Sequence, residues 1–517
     1  MLQPDTLTLE QKIGQLMIIG FDGIEAESGL LEMIRKYHIG GVVLFARNVH
    51  SPQQVAQLTN KLQQTAIENG NPGLFIAIDQ EGGRVARLTE QTGFTEFPSA
   101  MAVGATGDAE NAYQMASAMA AEMRAVGINI DFAPVLDINN NPANPVIGTR
   151  SFSTDPKIVA TFGAAFARGL QDNGILAFGK HFPGHGDTGT DSHIALPLVP
   201  HDRTRLGQIE LIPFKSAISE NFAGIMSAHV TFPAIDPNAG MPATLSHAVL
   251  TGLLREELDF QGLIITDSLE MGALAENGFP SPVAATLAFA AGADVLLFNR
   301  DHTMHKQAFA NLIQAVIQGK VSQEQLDSSV HRILEAKEKY GIIKPILIME
   351  PDKAGESTAT VEHHALALEL ARKAITLLRD NTSLLPLKAG EPLLVIETAA
   401  AGGLGALLGA TTLEIKIDPD ASAIIDALNL ASDGCKIIVT TTDPNSNAGQ
   451  VKLVTELLAK NPNVITVSVR TPYDLRVLPI VPTALAAYGG NPPTLQAIID
   501  VLMGDYEAAG VLPVTLL

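Results

Sequence analysis

Short apolar or β-branched runs alternate with segments of helical spacing through the first two-thirds of the chain. Eight such runs recur, at 15–21, 41–45, 74–79, 128–135, 176–181, 224–229, 263–267 and 293–299. Their near-continuous hydrophobicity suits parallel strands buried on both faces. Between them, stretches such as 109–126 (AENAYQMASAMAAEMRAV) and 281–291 place alanines and aliphatics three and four residues apart, the pattern of a helix packed on a sheet. Strand–helix alternation repeated about eight times predicts an α/β fold with a TIM (β/α)8-type barrel. A doubly wound open sheet would also produce such a series.

After residue 343 the chain reads KPILIMEPDKAGESTATVEHH, a stretch containing proline and charge that follows a long helical pattern at 322–340 and fits an interdomain linker. A helix is expected over 362–378, then strands at 393–397, 413–417, 436–442 and 464–469, again separated by helical segments. The expected organisation is a barrel over 1–345, a linker over 346–365, and a smaller α/β sandwich domain over 366–517. Gly402-Gly403-Leu404-Gly405 follows one of these strands, but its spacing is not GxGxxG and it predicts no nucleotide site.

Charge narrows the partners. The chain has 34 Lys+Arg against 55 Asp+Glu, a net charge of −21, which repels polyanions and argues against nucleic acid or an anionic membrane as a main partner. Only 17% of residues are charged, against about 25% in a typical domain, so much of the chain must face inward. A lone cysteine, Cys435, permits no internal disulfide and no multi-thiolate metal site, and points to a reducing compartment. The opening MLQPDTLTLEQK has neither a basic start nor an apolar run, so no secretory signal is expected and a cytoplasmic location is. The longest charge-free stretch, 477–499, is interrupted by Pro479, Pro482, Pro492, Pro493 and Gly489-Gly490, so no membrane span is expected.

Asp79, Lys180, His181, His229, Asp267 and Asn299 each come at or just after the C-terminal end of an expected strand. In a TIM barrel that rim is where active sites form. The densest polar stretch, KHFPGHGDTGTDSH at 180–193, packs a lysine, three histidines and two aspartates around three glycines. Such a loop can serve proton transfer, metal ligation or its own hydrogen bonding. Within it, Asp191 lies two positions before His193, a spacing that lets the carboxylate accept one imidazole N–H and leave the other nitrogen for proton transfer near neutral pH. Asp267, delivered by LIIT, can be a nucleophile, an electrostatic stabiliser or a helix N-cap. Asp79, followed by Arg84 and Arg87, suits a ligand rich in hydroxyls or carrying an acid, with Arg84 expected in a surface ion pair.

Together these residues resemble glycoside hydrolase family 3, in its β-N-acetylglucosaminidase branch. KHFPGHGDTGTDSH is joined in order by IDQEGGRVARL at 78–88, DFAPVLDI at 131–138, NPVIGTRSF at 144–152, MSAHVTFPAID at 226–236 and LIITDSLEMGAL at 263–274. The resemblance covers 5–345 strongly, and ALELARKAITLLRDNTSLLPL is similar to the opening of the family's second domain. It implies a retaining exo-β-N-acetylglucosaminidase acting on GlcNAc-containing saccharides, with peptidoglycan fragments in cell-wall recycling as the suggested source. Asp267 would be the nucleophile of a covalent glycosyl-enzyme, and His193, held by Asp191, the general acid/base. Asp79, Arg87, Arg150, Lys180, His181 and His229 would bind the sugar, and His185 and Asp187 would shape the loop. Neither cofactor nor metal is expected.

Retaining hydrolysis usually takes two carboxylates. A histidine in place of one is neutral after giving up its proton and does not repel an anionic acceptor. That leaves open a phosphorylase of the same branch, in which phosphate replaces water. A β-glucosidase or xylosidase fits less well, since those members lack the KHFPGHG loop and usually take the acid carboxylate from the second domain. Other readings are a metal hydrolase built on His181, His185, Asp187, Asp191 and His193, a lyase with Lys180 as Schiff base, and Asp267 as stabiliser of a reaction driven by the substrate's acetamido group. The chain has no Trp and 5% aromatic residues, so grip on one terminal sugar by polar groups is expected rather than a long aromatic groove. No residue of the second domain is assigned catalytic chemistry.

Overall fold

The computed structural model describes residues 3–190, 196–343 and 348–516. Eight strands, β1 (Met17–Ile19), β2 (Gly41–Leu44), β3 (Phe75–Ile78), β4 (Ile130–Asp131), β5 (Leu176–Phe182), β6 (Gly224–Ser227), β7 (Leu263–Ile265) and β8 (Leu296–Phe298), form one parallel sheet. Their order is β7-β6-β5-β4-β3-β2-β1-β8. β1 pairs with β8, and an Ile265–Val295 bridge joins β7 to the segment entering β8, so the sheet closes into the expected TIM-type barrel.

Each apolar run supplies one strand, most of them trimmed at the ends, while β5 runs on to Phe182. The fourth departs most, because the run at 128–135 pairs regularly only at Ile130–Asp131. Pro134 has no N–H to give a ladder, and the Ala133–Pro134 peptide is cis. Carbonyls carry the pairing instead. Ala133 and Pro134 accept from the Phe178 and Lys180 N–H groups at 2.9 and 3.1 Å, and the Leu136 N–H donates back to Lys180 at 2.6 Å. This keeps the segment beside β5 until Asp137.

Beyond the barrel the chain returns along its outer helices. Asn60 exchanges two hydrogen bonds with the Met349 backbone, at 2.9 and 2.8 Å, and the helix Val361–Ala374 follows. The helix expected over 362–378 stops there. Ile375 and Thr376 are β-branched and favour extended backbone, and an open strand edge is available to pair with them. They lead into β9 (Thr376–Asp380), which joins β10 (Leu393–Thr398), β11 (Thr411–Ile415), β12 (Lys436–Thr441), β13 (Val464–Ser468) and β14 (Thr483–Ala486). The order is β11-β10-β12-β13-β14-β9, parallel except for β9, which runs antiparallel to β14 at the edge. Neither β9 nor β14 was expected from the pattern.

The period of two along these strands separates two cores. Val395 and Ile438 pack with Leu495 and Ile498 of the helix Pro492–Met503 on one face, while Leu394, Ile396, Ile437 and Val439 pack with Leu453 and Leu457 of the helix Ala448–Lys460 on the other. Against the barrel, Tyr473, Tyr488 and Val514 pack on Met101, Ala102 and Ala105. Polar contacts lock the same joint: the Ser99 hydroxyl donates to the Tyr488 carbonyl at 2.9 Å, Tyr473 to the Asn139 carbonyl at 3.0 Å, and Asn491 Nδ2 to the Phe97 carbonyl at 2.9 Å. Among the described residues no helix is long and apolar enough to cross a membrane.

Candidate active site

Parallel strands all point their C-terminal ends to one rim, so side chains just past those ends converge. Lys180, on β5, is buried, and its ammonium lies 2.7 Å from Asp79 Oδ1 and 2.7 Å from Glu81 Oε1. Arg150 completes the cluster with a two-pronged contact to Glu81, Nε to Oε2 at 2.8 Å and Nη2 to Oε1 at 2.7 Å. Arg87 Nη2 approaches the other Asp79 oxygen at 3.6 Å. Asp79, Arg87, Arg150 and Lys180 therefore form one network, with Glu81 at its centre.

Burial alone would favour the neutral forms of these groups. Pairing outweighs it. Burial lowers the Lys180 pKa, yet Asp79 and Glu81 raise it above its ordinary value. Burial raises Glu81, yet Arg150 and Lys180 drive it far below the carboxylate range. A lysine held charged in this way is not the neutral amine that a Schiff-base mechanism needs.

His181 sits beside this network on a second anchor. Its Nδ1–H donates to Asp137 Oδ2 at 2.6 Å, and Asp137 also accepts the His185 backbone N–H at 2.6 Å. Asp137 is fully buried, and although burial raises it, His181 holds it below its ordinary pKa. The contact fixes the ring's orientation and tautomer. Burial pushes His185 down to about 4, toward the neutral imidazole.

Across the mouth, Asp267 follows β7 and its Oδ1 accepts the Ser268 N–H at 2.6 Å. Burial raises its pKa, but its interactions with His229 and His181 outweigh this and leave it lowered, which favours the ionised carboxylate. His229, after β6, is positioned by Thr244 Oγ1 at Nδ1 and by the Ser268 carbonyl at Nε2, each 2.9 Å away. Asp267 does not begin a helix, since the next one starts at Gly272, so the N-cap reading does not hold. A side chain so placed can attack, or stabilise positive charge at, a sugar's anomeric carbon.

Asp191 and His193 lie outside the described residues. The flanking residues meet, however: Asp187 Oδ2 accepts from His201 Nε2 at 2.6 Å. Among the described residues Asp187, His201 and Glu210 are the group close enough to share a metal ion, and Arg205 already reaches Asp187 at 3.7 Å and Glu210 at 3.3 Å. The His181 ring turns instead to Asp137, and His185 Nδ1 lies 2.9 Å from the Thr188 hydroxyl.

Arg84 is not in the expected surface ion pair. Its Nη2 donates to the Val146 carbonyl at 3.0 Å, and among the described residues no carboxylate pairs with it. Glu81, Asp131 and Asp137 received no role from the sequence. Asp131 is buried at the end of β4, with Oδ1 accepting the Gln80 N–H at 2.9 Å and Oδ2 without a hydrogen-bond partner among the described residues, and burial pushes its pKa well up. Two signals pointed to such residues: Glu81 lies two positions beyond Asp79, and Asp137 ends an apolar run as Asp79 and Asp267 do.

Residues 8–336 match the glycosyl hydrolase family 3 N-terminal domain. The chain is 34% identical to a β-hexosaminidase A of Pseudoalteromonas piscicida, over 98% of this chain and 97% of the relative. It is 28% identical to a β-N-acetylglucosaminidase/β-glucosidase of Cellulomonas fimi, over 98% and 93%. Among solved structures, a glycoside hydrolase family 3 β-N-acetylglucosaminidase from Paenibacillus sp. str. FPU-7 superposes with a TM-score of 0.91 at 40% identity, covering 99% of both chains. With its charged barrel mouth, this chain belongs to glycosyl hydrolase family 3 and is a glycoside hydrolase.

Proposed function

We propose that this protein is a retaining exo-β-N-acetylglucosaminidase that removes terminal GlcNAc from β-linked saccharides, with peptidoglycan fragments as its source of substrate. The observation that carries this reading is an ionised Asp267 facing His229 and His181 across the mouth from the Asp79–Lys180–Glu81–Arg150 network. Relatives named for β-hexosaminidase and β-N-acetylglucosaminidase activity over nearly the full chain support the sugar.

In the first step an Asp267 oxygen attacks the anomeric carbon while His193, oriented by Asp191, gives its proton to the departing glycosidic oxygen. His193 is then neutral. It takes a proton from water, whose oxygen attacks the same carbon and returns Asp267 as a carboxylate. Asp79 accepts hydrogen bonds from sugar hydroxyls, with Lys180, Arg87 and His181 donating around it, His229 lining the sugar beside Asp267, and Arg150 holding Glu81 in place. Residues 1–345 form the catalytic unit, joined through 346–365 to a second domain over 366–517. The buried lone Cys435 suits a cytoplasmic setting.

Turnover of p-nitrophenyl β-N-acetylglucosaminide by the wild type, Asp267→Ala and His193→Ala tests this. A fluorinated GlcNAc analogue should label Asp267. An inactive wild type, or an Asp267→Ala variant that keeps its rate, overturns the assignment.

A further inference from the structure

The parallel strands β10, β12, β13 and β14 open their C-terminal ends on one edge of the second sheet. The chain order reverses between β10 and β12: β11 lies outside β10, and the next connection crosses to the other side. In open α/β sheets such a reversal leaves a crevice where ligands bind. Here that edge faces the barrel mouth, and a crevice of about 370 Å³ lies between them, lined by Gly83, Arg84 and Thr149 from the barrel and by Ala400, Thr442 and Arg470 from the second sheet.

Two guanidinium groups share this space. Arg84 spends one N–H on the Val146 carbonyl and has no carboxylate partner among the described residues. Arg470 pairs with Asp443. Glu81, the nearest other acid to influence Arg84, is already engaged by both Arg150 and Lys180. Arg84 stays exposed to solvent, yet the atoms around it partly desolvate it, and with the like charges of Arg470 and Arg150 they push its pKa down to about 10. An arginine without a paired carboxylate among the described residues is unusual in a chain of net charge −21. The crevice lies near the sugar network, since the charges of Arg150 and Glu81 both act on Arg84.

We propose that this crevice is an oxyanion subsite in which Arg84 and Arg470, one from each domain, hold a carboxylate or phosphate group beside the sugar site. The proposal rests on the glycosidase reading and adds an acidic requirement to it. Planar guanidinium forks match both oxyanions. Two sources share that chemistry: an acidic group carried on the aglycone of the saccharide, and free phosphate. The second domain would then recognise what the barrel cuts away from GlcNAc, or the acceptor that replaces it.

Kinetics on two disaccharides test this: GlcNAc-β-1,4-GlcNAc, which is neutral, and GlcNAc-β-1,4-MurNAc, which adds a lactyl carboxylate to the same aglycone position. We expect Arg84→Met and Arg470→Met each to lower kcat/KM for the acidic disaccharide about tenfold while the neutral one stays within about twofold, which also shows that the variants fold. If free phosphate is the ligand, calorimetry with inorganic phosphate should show wild-type binding that weakens about tenfold in each variant, with the disaccharide ratio unchanged. A ratio and a phosphate affinity that are both indifferent to both substitutions overturn the subsite while leaving the glycosidase intact. A wild type that cleaves neither disaccharide nor the aryl glycoside overturns the glycosidase reading, and the phosphate titration still decides the subsite.

Discussion

Two buried lysines stand at opposite ends of the same barrel. Lys180, at the C-terminal mouth, contacts Asp79 and Glu81 and is held charged. Lys337, at the N-terminal foot, bonds Gln15 Oε1 at 2.7 Å and the Gly40 carbonyl at 2.9 Å, with its ammonium 4.8 Å from the centre of the Phe75 ring. Among the described residues no carboxylate offsets its desolvation, which pushes its pKa down to about 7. Burial is common to both, so the difference lies in the partners. The mouth invests charge in a network that can grip a polar ligand, whereas the foot buries an amine among neutral acceptors. In a barrel the mouth carries chemistry and the foot carries stability, and these two residues express that division in their protonation.

The largest blow to the mouth should come from Asp267→Ala, which we expect to reduce kcat on p-nitrophenyl β-N-acetylglucosaminide by at least about a thousandfold, with little change in thermal midpoint. Steady-state kinetics beside calorimetry separates the two effects. Lys180→Met should harm both readouts. It removes the cation between Asp79 and Glu81, leaving Glu81 to Arg150 and Asp79 to Arg87 at 3.6 Å, a break in a buried pair costing about 3 kcal/mol, and it removes a sugar contact. A Lys180→Met protein with wild-type stability would dissolve the contrast with the foot.

Asp137→Ala frees the His181 ring and should raise KM more than it lowers kcat, with a combined loss of about ten- to a hundredfold in kcat/KM. Equal losses in both would mean that His181 acts in the chemical step. The smallest effect belongs to Lys337→Met, and it is read against pH. Because the folded-state pKa of Lys337, about 7, lies below its ordinary 10.5, the unfolded chain binds more protons between those values. Stability contributed by this group therefore grows as pH rises through that window and is lost as pH falls toward 7. Relative to Lys337→Met, the wild type should gain at most about 1.4 kcal/mol per pH unit between neutrality and mildly alkaline conditions. Parallel thermal midpoints for the two proteins across that range would show that Lys337 is not desolvated as described.

The strand ends were legible. Asp79, Lys180, His181, His229 and Asp267 were each placed on one rim from nothing more than apolar runs ending in polar residues. Glu81 and Asp137 escaped because their importance lies in partners far along the chain, Arg150 at 69 residues and His181 at 44. Arg84 was misread for a related reason. A basic residue in a loop is usually solvated, and only the approach of the second sheet turns its surroundings into a crevice.

Periodicity and composition by themselves determined an α/β barrel, a second smaller α/β unit, an acidic surface and a polar rim, because these depend on local spacing and on burial that every strand or helix demands. Tertiary structure alone decided which charges neutralise each other. Glu81 lies between Arg150 and Lys180, β9 folds back antiparallel beside β14, and Tyr473 of the second domain reaches the Asn139 carbonyl at 3.0 Å. Such contacts depend on register between strands and on how two units dock, and an ion pair changes a protonation state only when its two members come within a few ångströms.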